Sequence, residues 1–403
     1  MTRVPEVRRL LARVGRIDPG SLEAYRDAGG YRGLGRALEI GPEPLLEELT
    51  RSGLLGRGGA AFPSGVKWKA VAQAPAPRWL VCNADESEPG TFKDRVLLEQ
   101  DPFSVLEGLT IAARTVGAED ALIYLRGEYD GAAARLEDAI GQATAAGLLG
   151  VRVRLFRGAG AYICGEETAL FNSVEGRRGE PRSKPPFPTE AGLFGRPTLV
   201  NNVETLANVA LIAADGAEAF RAHGTERSTG TKLFCLSGHI ERPGVYEVPF
   251  GTPLRELLDL AGGIWRGRRL QAVLCGGASG SFLGPDRLDV PLSFEGLRTM
   301  GAAIGSGALI VLDETADLWR TVQRVARFFR EESCGQCVPC RVGTQRQLEI
   351  VDRLAEGRGR AGDMDLLRDL AGAMTDASIC GLGQTASSAV ISALALVGEG
   401  TPV

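Results

Sequence analysis

The chain has 403 residues, 44% hydrophobic and 24% charged, with 46 basic against 50 acidic side chains and a net charge of −4. That balance excludes nucleic acid as a main partner, since neutralising phosphates needs a basic excess, and the length predicts two to four domains at roughly 100–200 residues each. No apolar run reaches the ~18 residues of a membrane span, residues 1–6 lack an apolar signal core, and eight cysteines in so long a chain fit a reducing, cytoplasmic compartment better than a disulfide framework.

Residues 4–16 place Val7, Leu10, Leu11 and Val14 on one face and predict an amphipathic helix, as do residues 43–52. The loop that follows reads Gly56-Arg57-Gly58-Gly59-Ala60-Ala61-Phe62 and runs on to Lys67 and Trp68. Gly56-x-Gly58-x-x-Ala61 fits a dinucleotide fingerprint by letter, but a helical segment precedes it where a strand is required. Glycines still let backbone approach a flat or phosphorylated ligand closely. Arg57 and Lys67 add positive charge there, and Phe62 and Trp68 add aromatic faces. A purely structural Gly/Pro turn is the alternative.

An alternation begins at residues 79–82, a short buried strand. The polar loop Asn83-Ala84-Asp85-Glu86-Ser87-Glu88-Pro89-Gly90 follows it. Asp101 is expected to cap a helix with Pro102 at its first position. Strands are predicted over 121–125 and 151–156, with a helix over 130–146 between them. The loop from Gly158 through Tyr162 to Gly165 leads into a helix near Glu166, Glu167 and Thr168. Such alternation predicts a largely parallel sheet with helices on both faces, and such sheets bind ligands at the carboxyl ends of their strands. Residues 176–198 form an Arg/Pro/Gly-rich loop. Asn201 and Glu204 are spaced as a capping box for the next helix. Composition changes near 224–231, and short strands over 232–236, 245–248, 272–275 and 309–312 predict a small α+β module in which Cys235 and Cys275 are core residues. With only His223 and His239 in the chain, histidine chemistry is a poor fit.

The last segment is helical, with Leu318, Val322, Val325 and Phe329 on one face. Cys334, Cys337 and Cys340 then stand three apart in a loop expected between helices, and Cys380 lies forty positions further on. One tight loop that delivers three thiolates, plus one distant thiolate, suits a four-iron cluster. Zinc is the competing metal, though it usually pairs two C-x2-C arms. Inert buried cysteines are the third reading. Arg341 stands beside the run, where it would offset negative charge.

Taken together, the motifs at 56–68, 82–90, 161–170, 184–188, 200–205 and 332–341 closely resemble the flavin-bearing, NADH-binding subunit of respiratory complex I. They equally resemble its soluble relatives, the diaphorase subunits of NAD-linked hydrogenases and NAD-dependent formate dehydrogenases. The resemblance implies an α/β fold in which an N-terminal helical segment (1–40) precedes a Rossmann-like FMN and NADH domain (41–228). A ubiquitin-like β-grasp module (229–314) and a helical [4Fe–4S] domain (315–403) complete it. FMN would be bound around Gly56, Arg57, Gly58, Gly59, Lys67, Asn83, Asp85, Glu86, Ser87, Tyr162, Gly165, Glu166, Val200, Asn201, Asn202 and Thr205. Phe62, Glu88, Glu167, Lys184 and Phe187 would meet NAD(H), with Glu88 and Glu167 as the residues nearest the chemistry. A carboxylate such as Glu167 near an adenine ribose would favour NAD over NADP. Cys334, Cys337, Cys340 and Cys380 would hold the cluster.

The implied activity is hydride exchange between NAD(H) and FMN, then single-electron transfer through the cluster. The implied partners are a small [2Fe–2S] subunit and a larger catalytic or membrane assembly. The segment at 275–280, Cys-Gly-Gly-Ala-Ser-Gly, looks more like the formate dehydrogenase and hydrogenase branch. Two other classes of function remain open to the residues alone: a non-redox scaffold knotted by zinc, and an electron relay without an NADH site.

Overall fold

In the computed structural model, which describes residues 6–397, helices come first: α1 (Leu22–Asp27), α2 (Arg32–Ile40), α3 (Pro42–Ser52) and α4 (Ser64–Gln73). Alternation then sets in with β1 (Arg78–Ala84), α5 (Lys93–Gln100), α6 (Pro102–Val116), β2 (Ala118–Leu125), α7 (Asp130–Ala145) and β3 (Arg152–Arg157). It continues with α8 (Glu167–Val174), α9 (Pro188–Ala191), β4 (Thr198–Asn202), α10 (Val203–Asp215) and α11 (Ala217–Arg221). The strands form one sheet of order β3-β2-β1-β4, parallel throughout. Alternate residues serve opposite faces. Leu80, Cys82, Ala84, Ala121 and Ile123 join one core with α6, α7 and α10, whereas Val81, Leu122, Tyr124 and Val200 join a second with α8 and the C-terminal helices. Burial on both sides is why these strands read as continuous apolar runs. The strand order turns back between β1 and β4, so the carboxyl ends of these two strands flank the crevice where such sheets take ligands.

A second sheet follows, from β5 (Thr231–Gly238), β6 (Gly244–Pro249), β7 (Leu270–Cys275), β8 (Ser281–Leu283) and β9 (Ala308–Asp313), in the order β6-β5-β9-β7-β8. Only β5 and β9 pair in parallel. The sheet grasps α12 (Leu254–Leu260), whose Leu254, Leu257 and Leu258 enter its core; α13 (Phe294–Arg298) covers one end. The remaining helices are α14 (Leu318–Glu332), α15 (Val338–Ala355), α16 (Asp363–Ala377), α17 (Gly381–Thr385) and α18 (Ser388–Val397). In α14 the apolar stripe Val322, Val325, Ala326 and Phe329 is buried, and Asp317 caps the helix by accepting from the amide of Arg320. The amide of Phe282 in β8 donates to Ser392 Oγ of α18, which ties the second sheet to the bundle.

Several local expectations are corrected. Residues 6–16 are turns rather than helix, while residues 4 and 5 lie outside the described residues. The buried Glu247 carboxylate accepts from the successive amides of Arg9, Leu10 and Leu11 at 2.8–3.0 Å, and these bonds stand in for helical ones. Leu10, Leu11, Tyr25 and Leu34 sit in the same core as β1 and β2, so the N-terminal segment is integral to the first sheet's layer. Asp101 precedes α6 but makes no cap; its carboxylate takes a two-pronged ion pair from Arg13 instead. Asn202, not Asn201, caps α10 by accepting from the amide of Glu204. Cys340 lies within the first turn of α15 rather than in a loop. The short strand β8 was not anticipated.

Candidate functional site

β1 and β4 end side by side, with Asn83 opposite Asn202. Beyond them opens a cavity of about 260 Å³ lined by Gly58, Asn83, Asp85 through Glu88, Tyr162, Gly165, Glu166 and Asn202. All of these are residues that the motifs singled out. Its wall also includes Thr91, Lys93, Asp94, Ile163, Ser306, Gly381 and Leu382, which sequence reasoning missed. Gly381 and Leu382 immediately follow Cys380, and that adjacency was the available clue. Ser306 had none, because it arrives from the second sheet's module.

Each side chain is held by its own partners. Asn83 Nδ2 donates to the carbonyl of Gly165 at 2.8 Å, joining the β1 loop to the 3₁₀ turn at Tyr162–Gly165. Glu86 accepts from the amides of Asp94 and Arg95 at 2.8 and 2.9 Å and thereby caps α5. Burial pushes its carboxyl up, with Asp94 adding to the effect. Asp85 keeps Oδ2 on Ser87 Oγ at 2.9 Å, but its buried Oδ1 has no hydrogen-bond partner. Burial raises the Asp85 carboxyl to about 7. A group favoured as the neutral acid in the fold, but ionising near ~3.9 when unfolded, costs stability increasingly as pH rises through that interval. Asp85→Asn is therefore expected to melt higher than the parent in flavin-free form. The gap should open from about pH 4 and level off above about pH 7; a series of thermal melts by circular dichroism checks it, and a gap independent of pH would contradict it.

Glu166 caps α8 through the amides of Thr168 and Ala169 and also receives Lys184 Nζ at 3.1 Å. Lys184 reaches Glu167 at 2.8 Å, and Lys67 lies 3.9 Å from the same carboxylate. Lys67 also stands 5.7 Å from the Phe62 ring. Burial lowers the Lys67 ammonium, against the pull of Glu167. Phe62 and Phe187 expose 49% and 54% of their surface, unusual for phenylalanine, and Phe62 does so beside Lys67. Other residues stand behind the wall. The Arg57 guanidinium is fully buried, donates to the carbonyls of Leu55 and Thr229, and lies over the Phe250 ring at 4.6 Å. It therefore pins the loop to the second module and offers no charge to the cavity. Its amide donates to Thr205 Oγ1. Trp68 is likewise wholly buried, its Nε1 donating to Asn201 Oδ1 at 2.9 Å, so it presents no face to a ligand. The Val200 carbonyl accepts from Lys67.

Under the cavity runs a buried charge network. Lys232 Nζ donates to Glu204 Oε2 at 2.5 Å, Lys93 lies 3.0 Å from the same oxygen, and Lys93 also pairs with Asp94 at 2.6 Å. Asn202 Nδ2 donates to the other Asp94 oxygen. Burial opposes ionisation of Glu204, yet Lys232, Lys93 and Arg57 together keep its carboxyl below the usual range. Burial lowers Lys232 to about 8, since Glu204 alone supports it, whereas Lys93 has Asp94, Glu204 and Glu86 and is raised.

The cysteines surround the far side of this wall. Burial raises the Cys340 thiol to about 11, and Cys337, Cys380 and Cys334 add to the rise as neighbouring negative charges. Burial also raises Cys380, though the amides of Gly383 and Leu382 favour its thiolate. Arg178 donates to the carbonyl of Cys334 at 2.5 Å and Arg341 to that of Gly335 at 2.6 Å. Gly335 has φ +80°, a conformation that glycine adopts without strain. Among the described residues no three Cys, His, Asp or Glu side chains converge on a single-ion position. Cys334, Cys337 and Cys380 all neighbour Cys340, and a set of four thiols brought together in this way suits an iron–sulfur cubane. The cavity suits a flavin on equal grounds. Asp85 Oδ1 is an orphaned acceptor in its wall, and Gly58 leaves room where a Cβ would stand 3.1 Å from Asn202.

A ligand crevice at a parallel-sheet switch point, sharing a wall with a four-cysteine centre, defines a two-centre redox flavoprotein of the α/β class. Known proteins resemble the chain in all three of its parts. The Nuo51 FMN-binding domain family matches residues 49–211, the SLBB domain family residues 233–279, and the NADH-ubiquinone oxidoreductase-F iron–sulfur binding region residues 320–399. An F subunit of NADH-quinone oxidoreductase from Rhizobium meliloti is 44% identical, over 96% of this chain and 94% of that protein. The HndC subunit of the NADP-reducing hydrogenase of Solidesulfovibrio fructosivorans is 43% identical, over 94% and 80%. The solved NAD+-reducing [NiFe]-hydrogenase in its air-oxidized state superposes with a TM-score of 0.86 at 40% identity, covering 97% of this chain and 65% of that one. The chain thus spans about two thirds of that hydrogenase chain. It belongs to the family of NADH-quinone oxidoreductase F subunits.

Proposed function

We propose that this chain is the NADH-oxidising diaphorase subunit of a larger oxidoreductase, working through FMN and a [4Fe–4S] cluster. The observation that carries the reading is the shared wall: Gly381 and Leu382, directly after Cys380, line the same cavity as Asn83, Asp85 and Asn202. Bound FMN supplies two-electron exchange with the nicotinamide and one-electron exchange with the cluster. The chain's own residues bind and orient. Gly58, Asn83, Asp85, Gly165 and Asn202 cradle the flavin, with Gly59, Glu86, Ser87, Tyr162 and Glu166 around them. Gly56, Arg57, Val200, Asn201 and Thr205 fix that wall from behind. Lys67 meets FMN, while Phe62 and Phe187 offer faces for the dinucleotide, Lys184 meets its phosphates, and Glu88 and Glu167 accept from it. Cys334, Cys337, Cys340 and Cys380 hold the cluster. The units we assign are those expected from the motifs, with the N-terminal segment counted into the flavin layer. The neighbour that receives electrons is a small [2Fe–2S] subunit within a larger assembly on the cytoplasmic side. Among the described residues no helix is long and apolar enough to cross a membrane, which fits attachment through other subunits.

An anaerobic NADH titration of the FMN-loaded protein, with flavin absorbance and cluster EPR followed together, tests the reading. Bleaching with a reduced four-iron signal supports it. Iron without a flavin response would leave only a relay, and zinc in place of iron would leave a scaffold. Because one relative is named NADP-reducing, nucleotide choice is tested separately. Glu167→Gln is expected to narrow the NADH-over-NADPH preference in kcat/KM by roughly tenfold, the worth of one hydrogen bond to a charged group. An unchanged ratio would remove Glu167 from that role.

A further inference from the structure

Glu88 is 9% exposed, and its carboxylate is held from outside the first sheet's layer. Ser279, in the turn between β7 and β8, donates both its amide, at 2.9 Å, and its hydroxyl, at 2.5 Å, to the same Oε1. The turn is shaped for this contact. Gly277 has φ +80°, and a Cβ there would lie 2.6 Å from the Glu88 carboxyl carbon. A Cβ on Gly280 would lie 1.9 Å from the carbonyl of Cys275, so the turn closes as tightly as backbone allows. Positive-φ turns of this kind present amides to an anion. Tyr162, a cavity residue, also makes a side-chain contact with Ser279.

We propose that the β7–β8 turn of the SLBB module is a positioning element of the NADH site, with Ser279 fixing the Glu88 carboxylate in one orientation towards the nucleotide. The proposal rests on the reading of Glu88 as a nucleotide contact. It gives the second module a part in the reaction beyond packing, and it accounts for the Gly-Gly-Ala-Ser-Gly run at 276–280: Gly276 lets the chain pass the Ala303 carbonyl, Gly277 admits the carboxylate, the serine holds it and the last glycine closes the turn. The Ser306 hydroxyl, from the same module, also stands beside this carboxylate, so the second module holds Glu88 from two points.

The test uses the FMN-loaded chain with NADH and ferricyanide, read as KM against kcat, with Tm and FMN content measured on every variant. Ser279→Ala is expected to raise the KM for NADH about tenfold, the cost of one charge-assisted hydrogen bond, with kcat, Tm and FMN content near those of the parent. Ser279→Thr keeps the hydroxyl and is expected to restore KM. Gly277→Ala places a methyl against the carboxyl and is expected to raise KM as well. Glu88→Gln separates the two ideas. If it raises KM while Ser279→Ala and Gly277→Ala leave KM unchanged, the positioning role is overturned and the nucleotide reading of Glu88 stands. If all three leave KM unchanged, the nucleotide reading falls and takes the proposal with it. If Ser279→Ala instead lowers Tm and FMN content and threonine fails to restore KM, the turn is a structural prop and the proposal is wrong.

Discussion

Glu204→Gln is expected to destabilise the flavin-free protein by about 3–5 kcal/mol, the range seen when one partner of a buried ion pair is removed. Glu204 is fully buried and, among the described residues, is the only carboxylate that Lys232 touches. Without it Lys232 would keep only the carbonyls of Leu233 and Ser306, and would stay charged with no counter-charge or lose its proton. Lys93 would keep Asp94 and suffer less. Urea denaturation followed by circular dichroism measures the loss. The double variant Glu204→Gln/Lys232→Met is expected to recover part of it, because an apolar side chain of similar length needs no counter-charge. A single variant as stable as the parent would show that water reaches this network. The network joins β5 of the second module to α5 and α10 of the first, so its loss should also loosen FMN, whose proposed cavity Lys93 and Asn202 line.

Cys380→Ser is expected to remove the reduced four-iron EPR signal and electron delivery to any one-electron partner, while NADH still bleaches the flavin. Cys380 sits at the N-cap of α17, where the amides of Leu382 and Gly383 favour its thiolate. A serine hydroxyl ionises far less readily and is a poor iron ligand. Iron analysis gives a second readout, and Cys235→Ala, which alters a core thiol, should keep its iron. A variant with full iron and an intact signal would place the fourth ligand elsewhere. If the flavin response vanished together with the signal, the shared wall would be coupling the two centres more tightly than the residues in it suggest.

Much of this was legible in the chain. The buried strands announced themselves as apolar runs between polar loops, and the cysteine spacing pointed to a four-iron cluster with zinc as the competing metal. What stayed hidden depends on distant partners. Asp101 looks like a cap until Arg13, 88 residues away, takes its carboxylate. Arg57 and Trp68 look like ligand groups because their letters are cationic and aromatic, yet the carbonyl of Thr229 and the side chain of Asn201 consume them. Residues 6–16 carry a helical pattern of apolar positions, but that pattern records which side chains are buried and is silent on which acceptor the amides find. Ser279 and Ser306 carried no local signal, because a serine in a glycine-rich turn gains meaning only from what the turn faces.

The clasp of Glu247 on the amides of Arg9, Leu10 and Leu11 bears on how the protein is made. Those amides leave the ribosome 236 to 238 residues before the carboxylate that satisfies them. At about 5–20 residues per second they wait for roughly ten to fifty seconds for that acceptor. The N-terminal amides of the first layer therefore reach their final acceptor only after β6 has emerged.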